Sequence, residues 1–415
     1  MNQDRTSESS MIETARSYLR RLCVNIENRS TGSPGNRQAT EFFAGTVSGF
    51  GFVVEMPQFD CIDWSQAGAS LSVKGAWFEA FVSPYSLGCI LEAPIVVVSS
   101  LGELVASEIS SKIVLLQGEI AREQLMPKNF PFYNPDHHKQ IIQLLEAKEP
   151  AAVIAATSRD VVMVGSQYPF PLFEDGDFNI PSVFMTEDEG FRLAVHAGEP
   201  ARLEIRAERT PAVGCNVVAR KGAQSKRRVV LFAHIDARLG SPGANDNASG
   251  VVVLLLLAEL LADYSGYLGI ELVAMNGEDY FSNPGEQRYL ADNSNRFNEI
   301  ILGVNLDDVA YRSGKIAYSL YGCPEDMAGL IRKVFSEYPA FIEGEAWYQG
   351  DHGLFLMNQT PALAITSELL DELMARYTHT PQDTIEIVDP RKLMATASAL
   401  RDLLLRLDRE TADKD

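Results

Sequence analysis

The chain has 415 residues, more than one hydrophobic core usually holds, so two domains are expected. Its 46% hydrophobic and 22% charged residues are those of an ordinary soluble globular protein, and no apolar run reaches the roughly 18 to 20 residues of a membrane span. A net charge of −20, from 36 basic against 56 acidic residues, argues by repulsion against nucleic acid and anionic membranes as partners.

Five cysteines, Cys23, Cys61, Cys89, Cys215 and Cys323, are odd in number and never arranged as CxxC, which speaks against a disulfide framework and a thiolate zinc site. The opening MNQDRTSESSMIETARSYLRR lacks a basic start followed by an apolar stretch, so the expectation is no secretory signal and a cytoplasmic protein.

In chain order, residues 10–28 place Met11, Ile12, Ala15, Tyr18, Leu19 and Leu22 at helical spacing behind Ser9 or Ser10 as N-cap. The turn-rich NRSTGSPGNRQ follows, and ATEFFAGTVSGFGFVVEMPQF then predicts a second helix, a glycine stop and a strand. From about 62 to 205 the texture changes to short apolar runs, APIVVVSS, SKIVLLQGEI, EPAAVIAATS and NIPSVFMT, which predicts a small β-rich unit with one or two helices, notably HHKQIIQLLEAK. Beyond it strands and helices alternate through CNVVARKG, VVLFAHI, a helix in the 250s, GIELVAMNG, a helix near 286–292, EIILGVNLD, DMAGLIRKVFSEY and a final helix over 390–408. Such alternation predicts an α/β layer with a mostly parallel sheet, built from residues 1–61 and 206–415, with 62–205 inserted into it. The basic end of GCNVVARKGAQSKRR reads as a hairpin turn leading into VVLFA.

Ligands of open α/β sheets bind beyond the carboxyl ends of the strands. His234 and Asp236 end one predicted strand, Asp246 opens the next helix, Glu278 and Asp279 end a second strand, and Asp307 and Asp308 end a third. His379 lies in a turn-rich segment before the last helix. Any one of these alone reads as a capping or hydrogen-bonded residue; together they form a mixed nitrogen and oxygen set that suits divalent zinc, with manganese or cobalt as substitutes. Five ligand candidates and an extra carboxylate are too many for one ion, so two are expected, with Asp246 well placed to bridge them. Of the adjacent Glu278 and Asp279, one can bind metal while the other accepts a proton from the attacking water. His137, His138 and His196 have no such partner set and read as solvated or capping residues.

Taken in order, HID, SPGANDNASG, NGED, VNLDD and THTPQDT resemble the co-catalytic di-zinc exopeptidases, a family that includes bacterial leucine aminopeptidases, glutamate carboxypeptidase II and glutaminyl cyclases. STGSPGNRQATEFFAGTVSGFGFVVE is similar to that family's opening segment, and NIPSVFMTEDEGFRLA gives the insert a resemblance to a protease-associated domain. The resemblance implies a mixed sheet with a mostly parallel core sandwiched by helices. It also implies that His234 and Asp307 hold one zinc, that Asp279 and His379 hold the other, and that Asp246 bridges them. Glu278 then becomes the general base and Asp236 the carboxylate orienting His234. In QGDHGLF, Asp351 and His352 become candidates for lining the substrate.

Three departures stand out. Asp279 is one methylene shorter than the Glu of many relatives, and Asp308 adds an acidic group that could serve a substrate ammonium or face water. Tyr377 precedes Thr378 rather than His379, which leaves the oxyanion donor unassigned. The implied activity is removal of the N-terminal residue from peptides. A carboxypeptidase or dipeptidase on the same site, and a metal-free binding protein, are the alternatives. The insert's residues leave open whether it covers the site, limits substrate length or joins two copies into a homodimer.

Overall fold

The apolar runs after residue 216 become neighbouring strands of one sheet. The computed structural model describes residues 2–158, 168–222, 226–347 and 350–413, with side chains from residue 9 onward. The chain divides into two units, one of Met1–Cys61, Val213–Tyr280 and Pro284–Asp415, the other of Ile62–Ala212 and Phe281–Asn283. The passage from the second unit back to the first falls within one strand, Pro200–Cys215.

The sheet of the first unit has the order Val53–Glu55, Val217–Lys221, Gly269–Met275, Arg228–His234, Ile300–Leu306, Ala362–Ser367, Ile316–Tyr321, Phe341–Glu343. Its middle is parallel: Arg228–His234 pairs with Gly269–Met275 on one side and Ile300–Leu306 on the other, and the latter pairs with Ala362–Ser367. Parallel strands covered on both faces read as unbroken apolar runs, and every residue of Arg228–His234 is buried. Val229, Leu231 and Ala233 pack in the larger cluster, with residues of helices Asn2–Arg20, Pro34–Gly49, Gly250–Leu260 and Pro390–Ala412. Val230 and Phe232 belong to the opposite cluster, with Tyr289, Phe297 and Phe355.

Val217–Lys221 and Arg228–His234 are not a hairpin pair, because Gly269–Met275 lies between them. The turn expected at residues 223–225 lies outside the described residues.

The second unit is β-rich, as expected, and also carries helices between its strands. Within its sheet Cys89–Val98, Ile113–Leu116, Ala152–Thr157 and Ser182–Thr186 are parallel neighbours. Helices Leu101–Ala106, Asp136–Lys148 and Glu187–Ala194 alternate with them. The paired histidines of this unit do have a partner: Glu123 Oε1 lies 2.9 Å from His137 Nε2 and 3.4 Å from His138 Nε2. His138 Nδ1 accepts from the Met126 N–H at 3.1 Å, which leaves the proton of the neutral ring on Nε2.

Candidate metal centre

The parallel strands deliver their carboxyl ends to one edge of the first unit. His234 is the last residue of its strand and is almost fully buried. Two residues on, Asp236 is completely buried; its Oδ2 accepts from Thr31 Oγ1 at 3.0 Å and from the Asp279 N–H at 3.1 Å. Its Oδ1 faces His234 Nδ1 at 3.8 Å. Asp236 thus stands behind the His234 ring and also ties down the turn that carries Asp279.

Asp246 sits in the distorted segment Ala244–Ser249 behind Gly243, whose φ of +60° favours glycine. A Cβ on Gly243 would meet Ala237 Cβ and Asp246 O at 2.6 Å each. The Asp246–Asn247 peptide is cis. The two oxygens of Asp246 face different partners. Oδ1 lies 3.0 Å from His234 Nε2, which is itself 3.5 Å from Asp307 Oδ1. Oδ2 lies 3.2 Å from His379 Nε2, which is 2.8 Å from Asp279 Oδ1. One carboxylate therefore stands between two pairs, each made of one imidazole and one further carboxylate.

Two groups that the sequence reading missed hold this loop. Asp383, fully buried, accepts from the Asn245 N–H at 2.8 Å and the Asp246 N–H at 3.0 Å. Arg29 donates to the carbonyls of Ile235 at 3.0 Å, Leu22 at 2.9 Å, and Pro242 and Gly243 at 2.8 Å each. A third, Arg238, places Nη1 2.8 Å from His379 Nδ1.

The charges are strongly interdependent. Burial works against an ionised Asp246, but the imidazoles of His234 and His379 outweigh it and hold its carboxyl below the usual range. Burial likewise opposes a charged His234, and Asp236, Asp246 and Asp307 override it, raising that imidazole well above its ordinary value. Glu278 is pushed well above the usual glutamate range by burial, with His234 acting against the rise and the charges of Asp279, Asp351 and Asp307 adding to it.

The donor set fits divalent metal. It offers two imidazole nitrogens and several carboxylate oxygens at one edge, and the buried Asp279 Oδ2 and Asp307 Oδ1 accept no hydrogen bond among the described residues.

The remaining sequence candidates stand outside the two pairs, with Asp308 bonded to the Asp246 loop and Asp351 close enough for its charge to act on Glu278. Asp308 neither faces water nor presents an open carboxylate: it is buried, turns the chain at φ +54°, and its Oδ1 accepts from Asn245 Nδ2 at 2.7 Å. Tyr377 packs its ring on Tyr311, 5.9 Å between centroids, against the hydrophobic core. His352 is fully buried between Tyr321 and Trp347, each 4.7 Å away by ring centroid, with Nε2 2.9 Å from Trp347 O. Asp351 is buried beside Glu286, and burial with that second carboxyl pushes it well above its ordinary value.

Imidazoles and carboxylates gathered at the strand ends of a parallel-core α/β unit are a donor set of the kind that holds divalent metal. Residues 216–404 match the model of peptidase family M28. The chain is 24% identical over 278 residues to a probable lipoprotein aminopeptidase, LpqL, of Mycobacterium tuberculosis, a match covering 64% of this chain and 52% of that protein. It is 25% identical over 340 residues to a probable leucine aminopeptidase 2 of Aspergillus oryzae, covering 76% of this chain and 63% of that one. The chain thus spans about half to two thirds of the length of these curated relatives. Among solved structures, a zinc aminopeptidase from Bacillus subtilis superposes with a TM-score of 0.72 at 19% identity, covering 95% of this chain and 94% of that one, which shows a shared fold.

Proposed function

We propose that the chain is a zinc-dependent exopeptidase that removes the first residue of peptides with a free amino end, using two ions. The observation that carries this reading is the divided carboxylate of Asp246, one oxygen toward His234 and Asp307, the other toward His379 and Asp279. In this reading those two pairs hold one ion each and Asp246 serves both. The names of the relatives, aminopeptidases in each case, support the substrate class.

Bound metal would polarise the scissile carbonyl and make water a better nucleophile near neutral pH. The chain's own part in the reaction falls to Glu278. Beside the ligand group but outside the two pairs, its carboxylate takes the proton of the attacking water and returns it to the leaving amine. Asp236 keeps the His234 ring and the Asp279 turn in place through the contacts described above. Arg29 and Asp383 hold the Asp246 loop so that both of its oxygens stay presented.

Glu278→Gln should lower kcat by about 10²- to 10⁴-fold, the range of a general base, while leaving two equivalents of zinc bound. Assays on aminoacyl chromogenic substrates, with metal analysis of the same preparation, check both halves. Full activity in that variant would remove Glu278 from the mechanism. N-acetylated peptides test the substrate end, since an aminopeptidase refuses them and a carboxypeptidase does not.

A further inference from the structure

We infer that Arg238 opposes metal capture by His379, so that the two positions around Asp246 fill unequally, the His234 and Asp307 side more tightly. The inference rests on the ligand assignment proposed above. A guanidinium carries five N–H donors and no acceptor, so the 2.8 Å contact from Arg238 Nη1 makes His379 Nδ1 the acceptor. In the neutral ring the proton then sits on Nε2, the nitrogen that points at Asp279 Oδ1 and Asp246 Oδ2.

A cation at Nε2 requires the reverse. The lone pair must be on Nε2 and the N–H on Nδ1, and that N–H is ordinarily matched by a carboxylate, a carbonyl or water. The His234 side has this arrangement: its Nδ1 faces Asp236 Oδ1, and neither atom has a hydrogen-bond partner elsewhere among the described residues. Two imidazoles at comparable positions are therefore backed by groups of opposite charge, Asp236 behind one and Arg238 behind the other. Filling the His379 position must break the Arg238 contact and turn the guanidinium aside. Arg238 lies on a partly exposed turn that leads into exposed Leu239 and Gly240, where such a swing has somewhere to go.

The test is a zinc titration of the metal-stripped full chain against a competing chelator. The wild type should take up two ions in unequal steps, and His379→Ala should abolish the weaker one. Arg238→Gln removes the charge and supplies an acceptor. It should tighten the weaker step by about 10-fold or more, the scale on which such outer partners act, and leave the tighter step unchanged. Arg238→Lys keeps a cationic donor and should resemble wild type. Equal steps in the wild type, an unchanged or looser weak step in Arg238→Gln, or equal tightening by Lys would each overturn the inference and leave the ligand assignment standing. A chain that takes up no zinc would overturn both. Should Arg238→Gln fail to fold, the wild-type pattern and its response to His379→Ala decide the matter.

Discussion

Arg29 donates to four main-chain carbonyls from three separate parts of the first unit, and among the described residues no side-chain carboxylate lies at hydrogen-bonding distance to account for its burial. Each hydrogen bond to a charged group is worth about 1.5 to 3 kcal/mol, and acceptors left buried without a donor cost more than the bond itself. Arg29→Met should therefore lower unfolding stability by at least about 3 kcal/mol, read from the denaturant midpoint, with Arg29→Lys recovering part of the loss through its three donors. Neither Arg29 nor Asp383 is legible as a site residue in the sequence. Their partners lie 206 positions away, for Ile235, and 137 positions away, for Asp246, and no local pattern reports contacts of that range. His234, Asp246, Asp279, Asp307 and His379 are legible as a group for the opposite reason: four of them follow or end predicted strands or open a helix, and parallel topology sends those ends to one edge. For Tyr377 and His352 the sequence does not report packing: an aromatic ring beside a motif fits a pocket and a core equally well, and both rings pack against buried neighbours.

Helix Gly250–Leu260 begins directly after the Asp246 loop and is buried from Gly250 through Ala258. Its lack of a polar face makes it readable from the sequence, but its tightest constraint is at the first residue. A Cβ on Gly250 would meet Leu306 O at 2.4 Å, Asn247 Oδ1 at 2.6 Å and Ala233 Cβ at 2.8 Å. The first of these is main chain at the end of the strand that leads into Asp307, so it cannot yield without moving that candidate ligand. Gly250→Ala should cost about 1 to 3 kcal/mol, as overpacking does, and weaken zinc binding as well, measured by chemical unfolding and zinc titration of the same variant. The insert was harder to read at this scale. Two of the three α-helices among its described residues span only Leu101–Ala106 and Glu187–Ala194, too short to show a clear 3.6-residue period, so its parallel strands look like uninterrupted β texture.

For the whole molecule, the metal-free centre couples stability to pH. Burial, reinforced by the Asp246 carboxylate, pushes Asp383 from 3.8 to about 7. Between 3.8 and about 7 the folded chain keeps a proton on Asp383 that the unfolded chain has lost. More protons bound in the folded state means stability that falls as pH rises through that window. Thermal unfolding in chelator should show Tm declining across that range, and saturating zinc should raise Tm and flatten the slope. A metal-free chain that grows more stable toward alkaline pH would contradict the balance of charges described here. One further feature bears on how such a centre descends. Asn36 and Asn276 exchange two amide hydrogen bonds of 2.9 Å each, and Thr31 secures Asp236. Residues 29–36 lie outside the stretch 216–404 that carries the family likeness. Moved alone into another protein, that stretch would bring every candidate ligand and leave behind the segment that aims them. Thr31 and Asn36 thus supply contacts to Asp236 and Asn276 that residues 216–404 by themselves would lack.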